Sequence, residues 1–268
     1  MKEEQVIKNT QTPNTIATIE SDLKKLGLKK GMTIIVHSSL SQIGWICGSE
    51  QAVIEALMNV ITEDGNIVMP TQSTDVSDPK HWGAPPIPDD WWQIVRDTMP
   101  AFNPKSTPTR GMGRIAECFR TFDGVKRSNH PTVSFAAWGA NADKIVENHE
   151  LSFGFGKNSP LRKIYDLSGH ILLLGVDYDK NTSLHLSESC SQVRGTLFSG
   201  APIMEQGKRV WKEYECLDHN TDDFLEIGLN FEKAHHVSKE KVGNATAKLM
   251  NQRELVDFGM IWYNKTMK

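Results

Sequence analysis

The sequence lacks the features that mark several specialised protein classes. Its 268 residues contain four cysteines and no C-x-x-C pair, which argues against a disulfide-stapled scaffold or a zinc ribbon. No apolar run is long enough to span a membrane, and the amino-terminal stretch MKEEQVIKNT has no apolar signal core. We therefore expect a cytoplasmic protein with reduced thiols and no membrane partner.

An excess of charge of either sign is also missing. The chain has 30 Lys and Arg against 33 Asp and Glu, a net charge of -3, so nothing favours binding to a nucleic acid. Apolar residues make up 38% and charged residues 24%, which argues against a disordered or fibrous chain. The length suits one large α/β domain.

Hydrophobic periodicity predicts the core elements. Short apolar runs at 32–36, 67–69 and 171–176 indicate buried strands, and spacings of three and four indicate helices over 16–27 and 49–64. Strand, helix and strand in this order form a parallel pair joined by a right-handed crossover. We expect an α/β fold with a Rossmann-like, mostly parallel central sheet flanked by helices.

The second half of the chain has a different pattern. Imperfect alternation over 209–217 predicts a smaller antiparallel, β-rich C-terminal part. We expect a single domain over 1–268, with an α/β core at about 1–195, a β-rich portion at about 196–230 and a helix at about 238–258. The long segment 71–110, rich in Pro, Asp and Trp, fits a loop over a site or an interface, which leaves a homodimer open.

Polar residues follow each predicted strand, and ligands bind at the carboxyl ends of strands in parallel sheets. The run 171–176 leads into Asp177 and then into a helix over 184–188. His185 and Glu188 are three residues apart on one face of that helix, a spacing that lets the carboxylate orient an imidazole as a general base. The alternative is a structural histidine with a surface carboxylate.

Other chemistries have weaker support. Ser38 or Ser39 with His185 and Asp177 could form a hydrolase triad, but no G-x-S-x-G elbow is present. His-x-x-Glu supplies only two metal ligands, so we predict no metal. The turn at 37–40 suits an amide chain, and the segment 105–114 suits either a phosphate or a plain basic turn.

Five ordered blocks, covering nearly the whole chain, resemble the aminoglycoside 3-N-acetyltransferase family, which is unrelated to the GNAT fold. They are 26–40, 106–113, 127–135 with its R-S-N-H-P-T-V-S-F motif, 153–161 with F-G-x-G-x-N-S-P-L, and 173–188 with L-L-G-V-D and N-T-S-L-H-L-S-E. Several blocks in the same order are far more specific than any one of them.

The resemblance implies an acetyl-CoA-dependent acyltransferase acting on a small cationic amine, with no nucleic acid or membrane partner. It implies that His185 is the catalytic base and that Glu188 and Asp177 orient either His185 or the amine. The expected coenzyme A contacts are His37, Ser38, Ser39, Leu40, Gly44, Ser73, Ser106, Thr107, Arg110, Met112 and Gly113.

Substrate and mechanism leave alternatives open. No cysteine stands at a nucleophile position in these blocks, which favours direct transfer, although Cys190 keeps an acyl-enzyme route open. The resemblance favours the 3-amino group of the 2-deoxystreptamine ring of aminoglycosides, and hence antibiotic resistance. A different amine acceptor, or a non-catalytic protein that binds coenzyme A, are the competing hypotheses.

Overall fold

The computed structural model describes residues 3–267. The helices are α1 Glu3–Lys8, α2 Ile16–Leu26, α3 Leu40–Ile43, α4 Ser49–Ile61, α5 Trp92–Thr98, α6 Gly113–Phe119, α7 Ala142–Val146, α8 Pro160–Asp166, α9 Leu184–Ser191, α10 Phe224–Ala234 and α11 Gln252–Thr266. The strands are β1 Thr33–Ser38, β2 Asn66–Pro70, β3 Lys126–Arg127, β4 Phe135–Gly139, β5 His170–Leu174, β6 Thr196–Glu205, β7 Lys208–Leu217, β8 Ser238–Val242 and β9 Ala245–Asn251. Within the described range, no helix is both long enough and apolar enough to cross a bilayer.

Seven strands form one sheet in the order β3-β4-β2-β1-β5-β9-β8. The three predicted strands, β2, β1 and β5, pair in parallel at its centre. The flanking pairs are antiparallel, so the α/β class is confirmed but the sheet is parallel only at its middle. The outer pairs β3–β4 and β8–β9 have short connections, which can join only antiparallel neighbours.

Successive side chains of the central strands point alternately into two hydrophobic cores, one on each face of the sheet. Ile34 and Val36 of β1 lie in the core formed with α2, α4 and α6. Ile35, between them in sequence, lies in the other core, with α8, α10 and α11. Burial on both faces explains why these strands have almost no polar residues.

The predicted helix at 238–258 is wrong in its first half. Residues 238–251 form the hairpin β8–β9, turning at Gly243, whose φ is 55°. The sequence S-K-E-K-V of β8 is a charged edge strand, a composition that blocks further strand pairing and resembles an exposed helix face. The helix α11 starts only after Asn251, whose side chain accepts from the amide of Glu254 at 3.1 Å.

The β-rich portion expected at 196–230 consists of the hairpin β6–β7 followed by α10. The segment 71–110 contains a helix, α5, which lies against that hairpin. Arg209 of β7 donates to the main-chain carbonyl oxygens of Met99, at 2.7 Å, and of Arg96, so a guanidinium satisfies the carboxyl end of α5. Arg96 in turn pairs with the buried Asp78 at 2.8 Å. The long segment is thus anchored to the hairpin at its middle.

The turn that joins β5 to α9 is fixed by one buried tyrosine. Tyr178 is fully buried, and its hydroxyl donates to Glu232 of α10 at 3.1 Å. The ammonium of Lys248 lies 4.5 Å from the ring centroid. A Cβ added at Gly228 would lie 1.9 Å from Cγ of Tyr178, so only glycine lets α10 approach the ring this closely.

This packing predicts that Gly228→Ala destabilises the protein although alanine is the better helix former. The new methyl must displace the Tyr178 ring, and overpacking of this kind costs about 1–3 kcal/mol. Urea unfolding should show a loss of about 2 kcal/mol, with Leu229→Ala on the exposed face of α10 as the control. Equal stability of Gly228→Ala and wild type would contradict the contact.

Candidate active site

The helix α9 carries both members of the predicted pair. It starts in a turn where Asn181 accepts hydrogen bonds from the amides of Ser183, at 3.2 Å, and Leu184, at 3.1 Å. Ser187 faces α11 and donates to the carbonyl of Val256 at 3.0 Å. The turn at 181–184 therefore fixes the start of α9, and α11 packs against one of its faces. His185 lies on another face of the helix.

The predicted pair is in direct contact. Nδ1 of His185 lies 2.6 Å from Oε2 of Glu188, whose side chain is fully buried. The same oxygen lies 3.1 Å from Nδ1 of His219, and Arg194 donates from Nε to Oε1 at 2.8 Å. A second donor of that guanidinium reaches Asp223 at 2.5 Å. One buried carboxylate thus accepts hydrogen bonds from two imidazoles and a guanidinium.

These contacts set the charge states at the site. Burial alone would raise the pKa of Glu188, but the hydrogen bonds from His185, His219 and Arg194 outweigh it and lower the pKa to about 2. Burial lowers the pKa of His185, while its bond to Glu188 opposes that effect. At neutral pH an ionised Glu188 therefore accepts the Nδ1 proton of a neutral His185, which leaves a lone pair on Nε2.

Aromatic rings surround the imidazole of His185. Phe155 lies parallel to it, with centroids 4.6 Å apart and an interplanar angle of 11°. His219 and Phe224 meet the imidazole at 63°, at 4.7 Å and 4.8 Å. The ring plane is thus restrained from three directions.

Two members of this cluster escape sequence analysis. His219 follows β7 and lies 31 residues from Glu188 along the chain, and Arg194 lies in the loop after α9. No spacing rule links His219 to α9 over such a distance, and Arg194, six residues after Glu188, lies beyond the end of the helix, where helical spacing no longer applies. The only signal for His219 is the polar run H-N-T-D-D at 219–223, directly after a strand and before α10.

Asp177 lies outside this cluster. Its carboxylate accepts from Lys248 at 2.7 Å and from the amide of Tyr178 at 2.9 Å, and no hydrogen bond joins it to His185 among residues 3–267. The orientation of the imidazole therefore falls to Glu188, and Asp177 stabilises the turn before α9. A contact between Asp177 and the substrate amine stays a prediction.

A cleft of about 800 Å³ opens at the carboxyl ends of the parallel strands. The predicted coenzyme A contacts that line it are His37, Ser38, Ser39, Leu40, Gly44, Met112 and Gly113. Thr182, three residues before His185, also lines the cleft, and His37 in its lining is close enough to His185 for a charge on one imidazole to affect the other. The sequence blocks 26–40, 106–113 and 173–188 meet here.

Four predicted contacts do not line this cleft. Ser73 is buried and accepts from Arg127 at 2.6 Å, while Arg110 is exposed and pairs with Asp75 at 3.4 Å. Thr107 accepts the amide of Asn103 at 2.9 Å, and the amide of Ser106 donates to the Asn103 side chain at 3.3 Å. These hydrogen bonds and ion pairs hold the segment before α6 in place, and a contact between these four residues and a cofactor stays a prediction.

Arg114 and Lys180 also line the cleft. Arg114 is the last residue of the segment 105–114 that suits a phosphate, although it is not among the predicted contacts, and sequence analysis did not select Lys180. Arg114 is the second residue of α6, four residues beyond the predicted Arg110, and its guanidinium lies 2.8 Å from Glu50. Lys180 lies in the turn after β5 and pairs with Asp179 at 2.9 Å. Both cations are exposed enough to meet an anionic ligand.

His37 offers a buried polar atom without a hydrogen-bond partner among residues 3–267. This atom is Nε2 of a side chain that is only 7% exposed and lines the cleft. Burial, with a smaller effect from His185, lowers the pKa of His37 to about 3. Buried polar atoms are normally hydrogen-bonded, so this nitrogen of the neutral imidazole is available to a bound molecule.

His185, Glu188 and His219 also meet the spacing of a metal site. Their ligand atoms lie within 4.8 Å of one another. The guanidinium of Arg194 on Glu188 brings positive charge into the same cluster, which opposes a cation there. The expectation that the protein uses no metal stays a prediction.

Comparison with protein families gives a match over most of the chain. The model of the aminoglycoside 3-N-acetyltransferase family matches residues 35–264. An aminoglycoside N(3')-acetyltransferase-like protein, YokD, derived from the SPbeta prophage of Bacillus subtilis, is 51% identical over 96% of this chain and 95% of its own. Aminoglycoside N(3)-acetyltransferase VII of Streptomyces paromomycinus is 31% identical, over 100% of this chain and 97% of its own.

Solved structures give the same result. The crystal structure of YokD from Bacillus subtilis superposes with a TM-score of 0.97 at 49% identity, covering 98% of both chains. A structure of AAC-IIIb in a binary complex with CoASH gives 0.85 at 26% identity, covering 96% of this chain and 98% of that one. A structure of AAC-VIa bound to sisomicin gives 0.87 at 28% identity, with 96% and 99% coverage.

The charge state of Glu188 gives a prediction for stability against pH. Its pKa is lowered in the folded protein, so its contribution is complete above the unfolded value of about 4.3 and is lost as pH falls through about 2. Glu188→Gln should therefore destabilise the protein by about 3 kcal/mol at pH 7, the cost of breaking a buried ion pair. The difference from wild type should shrink between pH 5 and pH 3 in urea unfolding. Glu226→Gln, on an exposed part of α10, is the control, and a difference independent of pH would exclude this charge state.

Proposed function

The chain belongs to the aminoglycoside 3-N-acetyltransferase family and is thus an acyltransferase, and we propose that it transfers the acetyl group of acetyl-CoA directly to the 3-amino group of the 2-deoxystreptamine ring of aminoglycosides. Antibiotic resistance is the biological role that follows. The observation that carries the proposal is a neutral, buried His185, held through Nδ1 by Glu188 and close to His37, which lines a cleft large enough for a cofactor.

Proton transfer is the part of the reaction that requires His185. An alkylammonium has no lone pair, so the amine must lose a proton before or during its attack on the thioester. Nε2 of His185 accepts that proton as the new C–N bond forms. Glu188 then faces an imidazolium across 2.6 Å, and their opposite charges stabilise the state that develops during the attack.

The acetyl donor fits the cleft by its chemistry. The pantetheine arm is a chain of amides, and Ser38, Ser39 and the unpaired nitrogen of His37 can hydrogen-bond to it. The amide of Ser39 is already used, because it donates to the carbonyl of Leu174 at 2.9 Å. In this proposal the hydroxyl and imidazole groups therefore bind the arm, and the main-chain amide of Ser39 does not.

Direct transfer is favoured over an acyl-enzyme because of where Cys190 lies. It is five residues beyond His185 on α9, which places it about 140° around the helix from the base. Burial raises the pKa of its thiol, which reduces its nucleophilicity at neutral pH. In our proposal the neutral amine attacks the thioester carbon, the C–S bond breaks, and coenzyme A leaves as the thiolate. The second proton that the nitrogen must lose to become an amide passes to this thiolate or to solvent.

His185→Ala tests the base directly. Loss of a general base costs about 10²- to 10⁴-fold in rate, so we expect kcat to fall about 10³-fold, measured by release of the coenzyme A thiol to a chromogenic reagent. Acetyl-CoA affinity by calorimetry should stay within about threefold, because the binding cleft is intact. His236→Ala, a histidine outside the site, is the matched control.

The choice of acceptor separates the competing hypotheses. Sisomicin and gentamicin should be turned over with the product acetylated at the 3-amino group, as mass spectrometry and NMR would show. Turnover of an unrelated primary amine alone would keep the acyltransferase and remove the aminoglycoside assignment. Coenzyme A binding with no turnover of any amine in wild type would favour a non-catalytic protein.

Arg114 is expected to contact the phosphates of the donor. It lines the cleft and can leave Glu50 for a stronger, charge-assisted bond to phosphate. Arg114→Gln should raise KM for acetyl-CoA about fivefold at low ionic strength, with a smaller effect in salt and little change in kcat. Arg110→Gln is the comparison, because Arg110 lies outside the cleft, and an equal rise in KM would return the role to Arg110.

A further inference from the structure

Two sequence blocks contribute no acid, base or phosphate ligand to the reaction described above. They are 127–135, with its His-Pro motif, and 153–161, with its two glycines. In the structure they pack on each other, and together they present one side chain, Phe155, flat against His185. Their polar residues show how that ring is held.

His149 connects the two blocks through a directional chain of hydrogen bonds. Its Nε2 lies 2.7 Å from the carbonyl of Gly154, which can only accept, so Nε2 carries the proton. Its Nδ1 then accepts from the hydroxyl of Ser128 at 2.9 Å, and that hydroxyl accepts the amide of Phe135 at 2.9 Å. Burial lowers the pKa of His149 to about 4, so this tautomer holds at neutral pH.

His130 makes a similar pair of hydrogen bonds, with one ring nitrogen as acceptor and the other as donor. Its Nδ1 accepts the amides of Thr132, at 3.2 Å, and Val133, at 3.1 Å. Its Nε2 therefore donates to the carbonyl of Leu151 at 3.1 Å. Burial, followed by the neighbouring His149, keeps its pKa well below the ordinary value.

The backbone before Phe155 is thus tied at several points. Leu151 and Gly154 accept from the two histidines, and the amide of Phe153 donates to Glu215 of β7 at 2.9 Å. A Cβ at Gly154 would lie 2.5 Å from Nε2 of His130, so the loop approaches that ring as closely as glycine allows. This is a rigid support for a side chain that is itself 5% exposed.

We propose that Phe155 is a positioning residue for the base: its face fixes the ring plane of His185 and stabilises the imidazolium that forms when the amine is deprotonated. The kinetic half of this inference rests on the proposed function. The ring face of phenylalanine attracts a cation, and the attraction is stronger where both groups are shielded from water. Nothing else lies parallel to the imidazole among residues 3–267.

The other groups that face His185 act elsewhere on the ring. Glu188 and, behind it, Arg194 act at the Nδ1 edge, and His219 also points its Nδ1 at Glu188. A charge on His185 lowers the pKa of His37, from β1, whereas His219 and Arg194 lower the pKa of His185 itself. These groups set the proton on Nδ1, whereas Phe155 covers the face of the ring that becomes a cation.

NMR on histidine-labelled protein tests the stacking without any turnover. In wild type, the ring protons of His185 should resonate upfield of those of His236, because they lie over an aromatic face. Phe155→Leu should remove that shift while Phe231→Leu, a buried phenylalanine in the same core that does not contact His185, should leave it. His185 protons without an upfield shift in wild type would overturn the stacking even if Phe155→Leu failed to fold.

Kinetics tests the stabilisation of the imidazolium. Phe155→Leu should lower kcat about three- to tenfold and move the acidic limb of its pH profile to lower pH, because the imidazolium loses a stabilising contact. KM for acetyl-CoA should stay within about twofold, and Phe155→Tyr, which keeps the face, should restore the wild-type limb. An unchanged limb in Phe155→Leu, or an equal loss in Phe231→Leu, would overturn the proposal. If wild type turns over no amine, the proposed function fails while the NMR result still decides the stacking.

Discussion

The buried carboxylate of Glu188 is the constraint on which the site depends. An ionised carboxyl group without solvent is costly unless its oxygens are occupied by donors, and here His185, His219 and Arg194 occupy them. These partners come from α9, from the loop after it and from the residues that follow β7. The hydrogen bonds to this one carboxylate therefore hold three parts of the chain together. The bond from His185 also fixes the proton of its imidazole on Nδ1.

The rest of the fold brings this cluster close to a cleft whose lining includes His37 and Thr182. The parallel strands β1 and β5 end side by side, so the turn at 37–40 and the turn before α9 emerge at the same edge. Tyr178, packed on Gly228, holds the second of these turns. The hairpin β6–β7 adds His219 from its far end and anchors the long segment 71–110 through Arg209. The hairpin β6–β7, which lies outside the central sheet, thus contributes a residue to the site.

Sequence analysis predicted the local features of this arrangement and missed the non-local ones. The three central strands, the helix α9 and the contact between His185 and Glu188 follow from short-range spacing, which a sequence displays directly. The antiparallel flanks, the hairpin at 238–251 and the role of His219 depend on which distant segments meet. The cations at the cleft show the same limit on a smaller scale, because its lining includes Arg114 and Lys180, whereas the predicted Arg110 pairs with Asp75.

For the proposed transfer, the cleft must deliver an acetyl thioester to a base whose free nitrogen is Nε2 of His185. A crystal structure of the protein with coenzyme A would show whether it does. We expect the pantetheine arm between the turn at 37–40 and Met112, with the sulfur about 4–6 Å from Nε2 of His185, close enough for an amine to bridge the two. A sulfur atom at the outer end of the cleft, beside Arg114 and away from His185, would contradict it.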